Sequence, residues 1–434
     1  MEYKSKIKQK TSSCCAYFSI FNKRFQGIFD SNYFFDATAP VFAFALSFGA
    51  MPMYGILSGD PYKLTFRWKS FRFFWSVLLI LSQIMFTVTV INNSIQKGLT
   101  ILKMTLVVVY NSVTYIMFQM LFIARKWPET MRFWRKVELS LPPMQDAVRS
   151  KSMGRRIRKF APTVTFLSLT EHTLGLIATG VSIVKCPIDP DDYVKSFFIE
   201  HLPVFFDDTT YEPWKAFLAK FANLVNTFMW FYVDLFIMLV AMGLSSVFKQ
   251  YCDFLVKFSG KRVTKQFWDE QRAAYRQVCE LIEYVDRVIS PITIVSFSNN
   301  LYFICLQLMN SLNERRSQVH SVYFWYTLIY LICRTSAVCL LSAEINEQSK
   351  RPLLLFRNVP MESWCAESKR FLEDVTETVC ALSGMRFFYL TRKLLLSVAG
   401  TIVTYELVIL QFYDRGSGSG IRVCNTTFTN ITTT

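Results

Sequence analysis

The stretch Thr404–Phe412, TYELVILQF, closes the last long apolar run of a 434-residue chain, and its reading decides the fold. That run covers 392–413, about the 20 mostly apolar residues a helix needs to cross roughly 30 Å of hydrocarbon. Working back towards the start, six more runs meet the same test, at 70–95, 104–125, 160–184, 217–248, 290–312 and 321–343. The chain is 52% hydrophobic with 41 Phe and 20 Tyr, and its mean hydropathy is +0.26. A bilayer, not water, is the solvent this composition implies.

An eighth run, 39–57, carries Pro40, Gly49, Pro52 and Gly55 and has basic flanks on both sides: Lys4 to Lys10 and Lys23–Arg24 before it, KLTFRWKSFR (Lys63–Arg72) after it. Proline and glycine break a continuous helix, and a spanning helix cannot leave both basic flanks in the cytoplasm. It is therefore expected to be re-entrant or interfacial. The net charge of +16 sits in short loops between apolar runs, which is the positive-inside pattern and not the basic domain of a nucleic-acid binder. The loop 126–159 has ten basic residues against three acidic, and 185–215 has seven acidic against three lysines. The first is placed inside and the second outside, so seven spans run from an internal N-terminus to an external C-terminus.

The organisation expected is a cytoplasmic segment 1–38, the interfacial stretch 39–57, and spans one to six within 58–343, with cytoplasmic extensions near 249–289. A cytoplasmic anchor region 344–391, the last helix 392–413 and an external tail 414–434 follow. In Val263–Arg287 the apolar positions Val278, Leu281, Ile282 and Val285 recur at helical spacing, which extends the fifth span below the membrane. With 344–391 it makes a helical bundle where subunits can meet. Asn425 and Asn430 head Asn-x-Thr triplets, glycosylation acceptors useful only outside the cell. Cys186 and Cys424 also fall on the external side and could pair. No cleavable signal is visible in the polar, basic first 38 residues.

GTIVTYELVILQF (Gly400–Phe412) resembles the TYhhhhhQF signature (h is hydrophobic) of the insect gustatory receptor family, with Thr404, Tyr405, Gln411 and Phe412 on its fixed positions. The resemblance extends to the block Ser383–Leu390 and to the inverted topology. Glu406, GAMPMYG (Gly49–Gly55) and DPYKLTFRWKS (Asp60–Ser70) resemble the sugar-receptor branch. It implies an all-α, multi-pass chemoreceptor channel in the plasma membrane of gustatory neurons. Identical or related subunits form a tetramer, each adding its seventh helix to a central pore, and helices one to six enclose an outward-facing ligand pocket. The ligand would be a mono- or disaccharide, and the permeant ions sodium and potassium, with calcium a further candidate. The tail beyond Phe412 departs from the pattern.

On helical spacing Val408, Gln411 and Phe412 share a stripe with Thr404 a turn below. Facing a pore axis, Val408 and Phe412 would gate by dewetting and Gln411 would supply amide oxygens; the alternative is that they face lipid. Thr404, Tyr405 and Glu406 would couple pocket to gate. For the pocket, ionisable groups inside spans are costly and are functional candidates by default. Glu171 and His172 lie mid-span in SLTEHTLG, and Asp234 in FMWFYVDLF beside Trp230, Phe231 and Tyr232. A sugar needs carboxylates and amides for its hydroxyls and aromatic faces for its C–H surfaces, so Gln83, Asn111, Tyr323, Trp325 and Tyr326 complete the set. The plainer readings stay open: Glu171 paired with Arg334 as a structural ion pair, His172 as a helix contact, Trp325 as an interface anchor.

With three His and no HExxH, GxSxG or Walker sequence, an enzyme, a metal and a cofactor are not expected. A G-protein-coupled chemoreceptor predicts an external N-terminus and DRY and NPxxY signals, which are absent. A transporter predicts internal repeats, and none is seen. The alternatives to a sugar-gated channel are the seven-span G-protein-coupled type of chemoreceptor and a gustatory receptor for a non-sugar tastant.

Overall fold

The computed structural model describes residues 33–96, 98, 101–141, 147–185, 187–206, 211–311 and 317–412. Cys186, Cys424, Asn425 and Asn430, and the side chains of Glu406, Gln411 and Phe412, lie outside the described residues.

The first element among the described residues is α1 (Phe34–Ala45), 12 residues with Pro40 inside. At about 18 Å it is too short to cross a bilayer, and it overlaps the stretch 39–57 expected to be interfacial but begins before it, at Phe34. A 3-10 turn and Gly49 end it, and a small antiparallel hairpin follows, β1 (Met53–Tyr54) against β2 (Thr65–Phe66). The long helices are α2 (Phe71–Gln96), α3 (Ile101–Ser140), α4 (Ala147–Lys185), α7 (Pro213–Val256), α8 (Lys265–Ser311) and α9 (Gln318–Lys350). These six are long and apolar enough to cross a membrane. The last helix, α12 (Arg392–Phe412), has 21 residues, about 31 Å, and coincides with the seventh expected span. Short helices α5 (Tyr193–His201) and α6 (Pro203–Phe206) lie between α4 and α7, and α10 (Leu353–Phe356) and α11 (Ala366–Glu377) between α9 and α12.

Hydropathy located the long apolar helices but not their ends. Most of the loop expected at 126–159 is helix, since α3 runs to Ser140 and α4 starts at Ala147. Lys, Arg and Glu favour helix as well as water, so a helix leaving the bilayer looks like a loop to a hydropathy scan. The extension before the fifth span is helical as expected: α8 is continuous for 47 residues, about 70 Å.

The central element is α7. In its apolar stretch 94% of residues are buried, against 17% in that of α4, so α7 is enclosed by protein while α4 presents a broad outer face. Glu212 ends the preceding loop in extended conformation and Pro213 starts the helix, the position where a missing N–H costs nothing. Further along, α1 crosses α7 at Gly243. The Phe34 ring stacks on Trp134 at 4.2 Å, and a Cβ at Gly243 would come within 2.4 Å of Phe34 and 2.8 Å of Trp134. Only glycine admits that approach. Glu138 on α3 accepts the Phe34 amide at 3.2 Å and the Trp134 indole N–H at 3.1 Å, satisfying one free donor at the start of α1.

At the far end of α8 a second core forms. Trp268 stacks on Phe356 and Tyr275 meets Phe371, while Arg272 binds Asp374 at 2.8 Å and Glu367 at 3.3 Å on α11. From this bundle the chain turns sharply at Met385 and Arg386, both at positive φ, and enters α12. One stripe of α8 holds that turn. Asp286 accepts the Ser383 amide at 2.6 Å and its hydroxyl at 2.7 Å, and Glu283 pairs with Arg386 at 2.9 Å. Positions 279, 283 and 286 follow the i, i+4, i+7 spacing of one helix face.

Candidate ligand cavity

A cavity of about 500 Å³ lies among α4, α7, α8 and α9, with His201 of α5 at its edge. Helical spacing assembles it. On α4 the lining residues Ser168, Glu171, His172, Gly175, Ala178 and Thr179 follow the three-and-four pattern of one face. On α7 Asn223, Asn226, Thr227 and Trp230 do the same. Trp230 meets Phe303 of α8 edge to face at 4.9 Å, and with Phe231 and Leu331 they form the apolar wall. Gln307, His320, Tyr323 and Arg334 complete the polar side.

The floor is an ion pair. The Arg334 guanidinium on α9 reaches the Asp234 carboxylate on α7, Nε to Oδ2, at 2.8 Å, with 2% and 1% of the two side chains exposed. Asn300 donates to Asp234 at 3.1 Å and accepts from Arg334 at 3.3 Å, and the Ser296 hydroxyl donates to the other carboxylate oxygen. Buried charges persist only when paired and hydrogen-bonded, and every partner here comes from a neighbouring helix. Arg334 is thereby held in the cavity wall, with Asp234 beneath it.

The three histidines of the chain all line this cavity. His201 Nε2 lies 3.0 Å from the Lys220 ammonium. Burial, then the charges of Lys220 and His172, push His201 down to about 4, so it is neutral at physiological pH and accepts from Lys220. Two acidic side chains, Glu171 and Asp234, lie near two basic ones, Arg334 and Lys220. The cavity is rich in groups that both donate and accept.

Four of the ten residues expected in the pocket line it: Glu171, His172, Trp230 and Tyr323. Gly175 faces the Tyr323 ring, which a Cβ there would meet at 3.3 Å. Asp234 lies under the wall, and it, not Glu171, is the ion-pair partner of Arg334. Gln83 stands behind Asn226, donating to its side-chain oxygen at 3.1 Å. The other four sit elsewhere. Asn111 is exposed and donates to Val107, Tyr232 is buried against Phe228, and Trp325 is 49% exposed. The Tyr326 hydroxyl donates to the Leu167 carbonyl at 2.9 Å. Sequence reasoning missed Asn223, Asn226, Thr227, Gln307, His201 and His320. For three of these the signal was available, as an uncharged polar stripe at 223, 226 and 227 on an otherwise apolar helix.

On α12, Thr404, Tyr405 and Val408 are exposed in the single chain, and the Thr404 hydroxyl donates back to Gly400 at 3.0 Å.

The described residues form a mostly helical chain with six membrane-length helices and a cavity open on one side. Its architecture matches the insect olfactory receptor OR5 from Machilis hrabei, with a TM-score of 0.61 at 16% identity over 80% of this chain and 90% of that one. A second structure of that receptor, in complex with eugenol, gives a TM-score of 0.56 at 14% identity over 87% of this chain and 100% of that one. In sequence, the family described as Trehalose receptor matches residues 10–424. The chain is 40% identical to the gustatory receptor for sugar taste 64f of Drosophila melanogaster, over 88% of this chain and 81% of that one. To the same organism's gustatory receptor 5a for trehalose it is 36% identical, over 88% and 85%. The chain belongs to the insect gustatory sugar-receptor family.

Proposed function

We propose that this protein is a sugar-gated cation channel of the plasma membrane of gustatory neurons, with a mono- or disaccharide bound in the cavity among α4, α7, α8 and α9. The observation that carries this reading is the match between cavity and ligand chemistry. A volume of about 500 Å³ falls within the roughly 300–1,000 Å³ of small-molecule sites. Its acidic side chains stand against basic ones, which suits a neutral polyol. Asn223, Asn226, Gln307 and the imidazole of His201 offer donors and acceptors together, as hydroxyls require, and Trp230 with Phe303 offers faces for C–H surfaces. Arg334, fixed from below by Asp234, donates without carrying an uncompensated charge.

For the response, α12 is read as the pore helix of an assembly of identical or related subunits. Val408 and Phe412 form the gate, Gln411 the filter, and Thr404, Tyr405 and Glu406 the coupling region. Sodium, potassium and calcium are the ions that would pass. Glycans on Asn425 and Asn430 would mark the external tail. Support comes from the exposed face of α12, the family relatives named for sugar taste, and the resemblance of TYELVILQF to the family signature.

The test is whole-cell recording from cells expressing this chain without added G proteins, alone and with a second sugar-receptor subunit. A sugar-evoked cation current is expected. Its absence in both cases, with surface protein verified, would overturn the reading.

A further inference from the structure

The cavity and the pore helix do not use the pair of thiols buried at the joint between them. Cys279 sits on α8 and Cys380 in the strand-like segment that leads through Ser383 to α12, and their sulfurs are 2.6 Å apart. Disulfide formation requires the two sulfurs to reach about 2.05 Å, a displacement of roughly half an ångström. Cys380 is buried at 3% exposure, while Cys279 is half-buried and leaves the pair an edge towards solvent. The geometry is fixed by neighbours. Asp286 and Glu283, on the same face of α8, hold Ser383 and Arg386 of the same segment, so the cysteines meet as part of a built joint.

We propose that Cys279 and Cys380 form a reversible disulfide modification site that responds to hydroperoxides and locks the segment before α12 onto α8. The bundle lies on the face read above as cytoplasmic, where thiols rest reduced, so the bond forms only under oxidation. The close contact with Cys279 holds the Cys380 thiol below its usual range, helped by Tyr275 and Lys350. The thiolate, not the thiol, is the nucleophile. Its sulfur attacks one oxygen of hydrogen peroxide, the O–O bond breaks, and hydroxide leaves to take up a proton as water. The sulfenic acid so formed is attacked by the Cys279 sulfur. The S–O bond breaks, the Cys279 proton leaves with the oxygen, and a second water is released. Two thiols lose two electrons and two protons to one peroxide. Two glutathione thiols reverse the step by exchange, becoming glutathione disulfide.

The lock bears on gating because the segment it fixes is the only described chain connection between the bundle and α12. This consequence rests on the channel reading, but the bond itself can be measured without any current. Cells expressing the full chain are treated with hydrogen peroxide, free thiols are blocked with N-ethylmaleimide, and digested membranes are searched by mass spectrometry for the linked peptide. The expected result is a Cys279–Cys380 peptide that dithiothreitol removes and that neither Cys279→Ser nor Cys380→Ser yields. In parallel, peroxide is expected to lower the sugar-evoked current reversibly in the parent chain and not in Cys279→Ser, with Cys279→Ala as a second variant should serine impair surface delivery. No linked peptide from peroxide-treated, surface-verified chain overturns the proposal. A linked peptide with unchanged current overturns the lock.

Discussion

Arg334 and Asp234 meet at 2.8 Å across the interface of α9 and α7, and this one pairing sets the floor of the cavity from two helices far apart in sequence. It turns a carboxylate that looks like a ligand contact into the support of one. Removing a single partner from a buried pair leaves an uncompensated charge and costs about 3–5 kcal/mol, whereas replacing both with neutral groups is far milder. Asp234→Asn is therefore expected to reduce surface expression and thermal stability in detergent. The double variant Asp234→Asn with Arg334→Met is expected to recover much of the fold while still losing the sugar response. Normal surface expression and an unchanged dose–response in Asp234→Asn alone would show that the pair does neither job.

Within the cavity, Asn226→Leu and Gln307→Leu each remove hydrogen-bonding groups of hydroxyl-matching type. A lost bond of about 1–1.5 kcal/mol shifts half-maximal sugar concentration upward by roughly five- to twelvefold. Asn111→Leu and Trp325→Leu, both outside the cavity, are expected to leave the dose–response in place. Equal shifts in all four would place the ligand elsewhere.

Acid should weaken the cavity region. His201 is held at about 4 against its ordinary 6.5, so between those values the unfolded chain binds a proton that the folded chain refuses. The stability it contributes is present above about 6.5 and is lost as pH falls towards about 4. Thermal unfolding in detergent should therefore shift to lower temperature across that window. His201→Gln should flatten the dependence, and an identical pH profile in the variant would exclude His201 as its source.

At the crossing of α1 and α7, Gly243→Ala places a methyl group against Phe34 and Trp134. Overpacking of this kind costs about 1–3 kcal/mol. A lower unfolding temperature is expected, partly restored by adding Phe34→Leu. An unchanged midpoint would mean that the crossing can open without strain.

How much of this was legible in the sequence depended on the signal each feature leaves. The apolar runs of the six membrane-length helices stand out because every residue in a bilayer contributes to the signal. The same scan is blind to where α3 or α8 stops, since their polar ends carry good helix formers. Glu171, His172 and Trp230 were found because charge and aromatic size stand out in an apolar run. Asn223, Asn226 and Thr227 were passed over because uncharged polar residues are cheap enough to look incidental. Periodicity assigns a residue to a face but not to the helix across from it, which is why Arg334 was matched to Glu171 and not to Asp234.

One helix joins the two ends of this molecule without interruption. Gln307 at the cavity and Cys279 at the joint before α12 both belong to α8, about 42 Å apart along its axis. Under the proposed gating such an element would work as a lever: a tilt of about 3° at one end would sweep the other through about 2 Å. No relay of side chains would be needed to carry that message. The reach of the helix, measured in turns, would itself be the transmission, and Pro291 within it removes a backbone hydrogen bond that would resist bending.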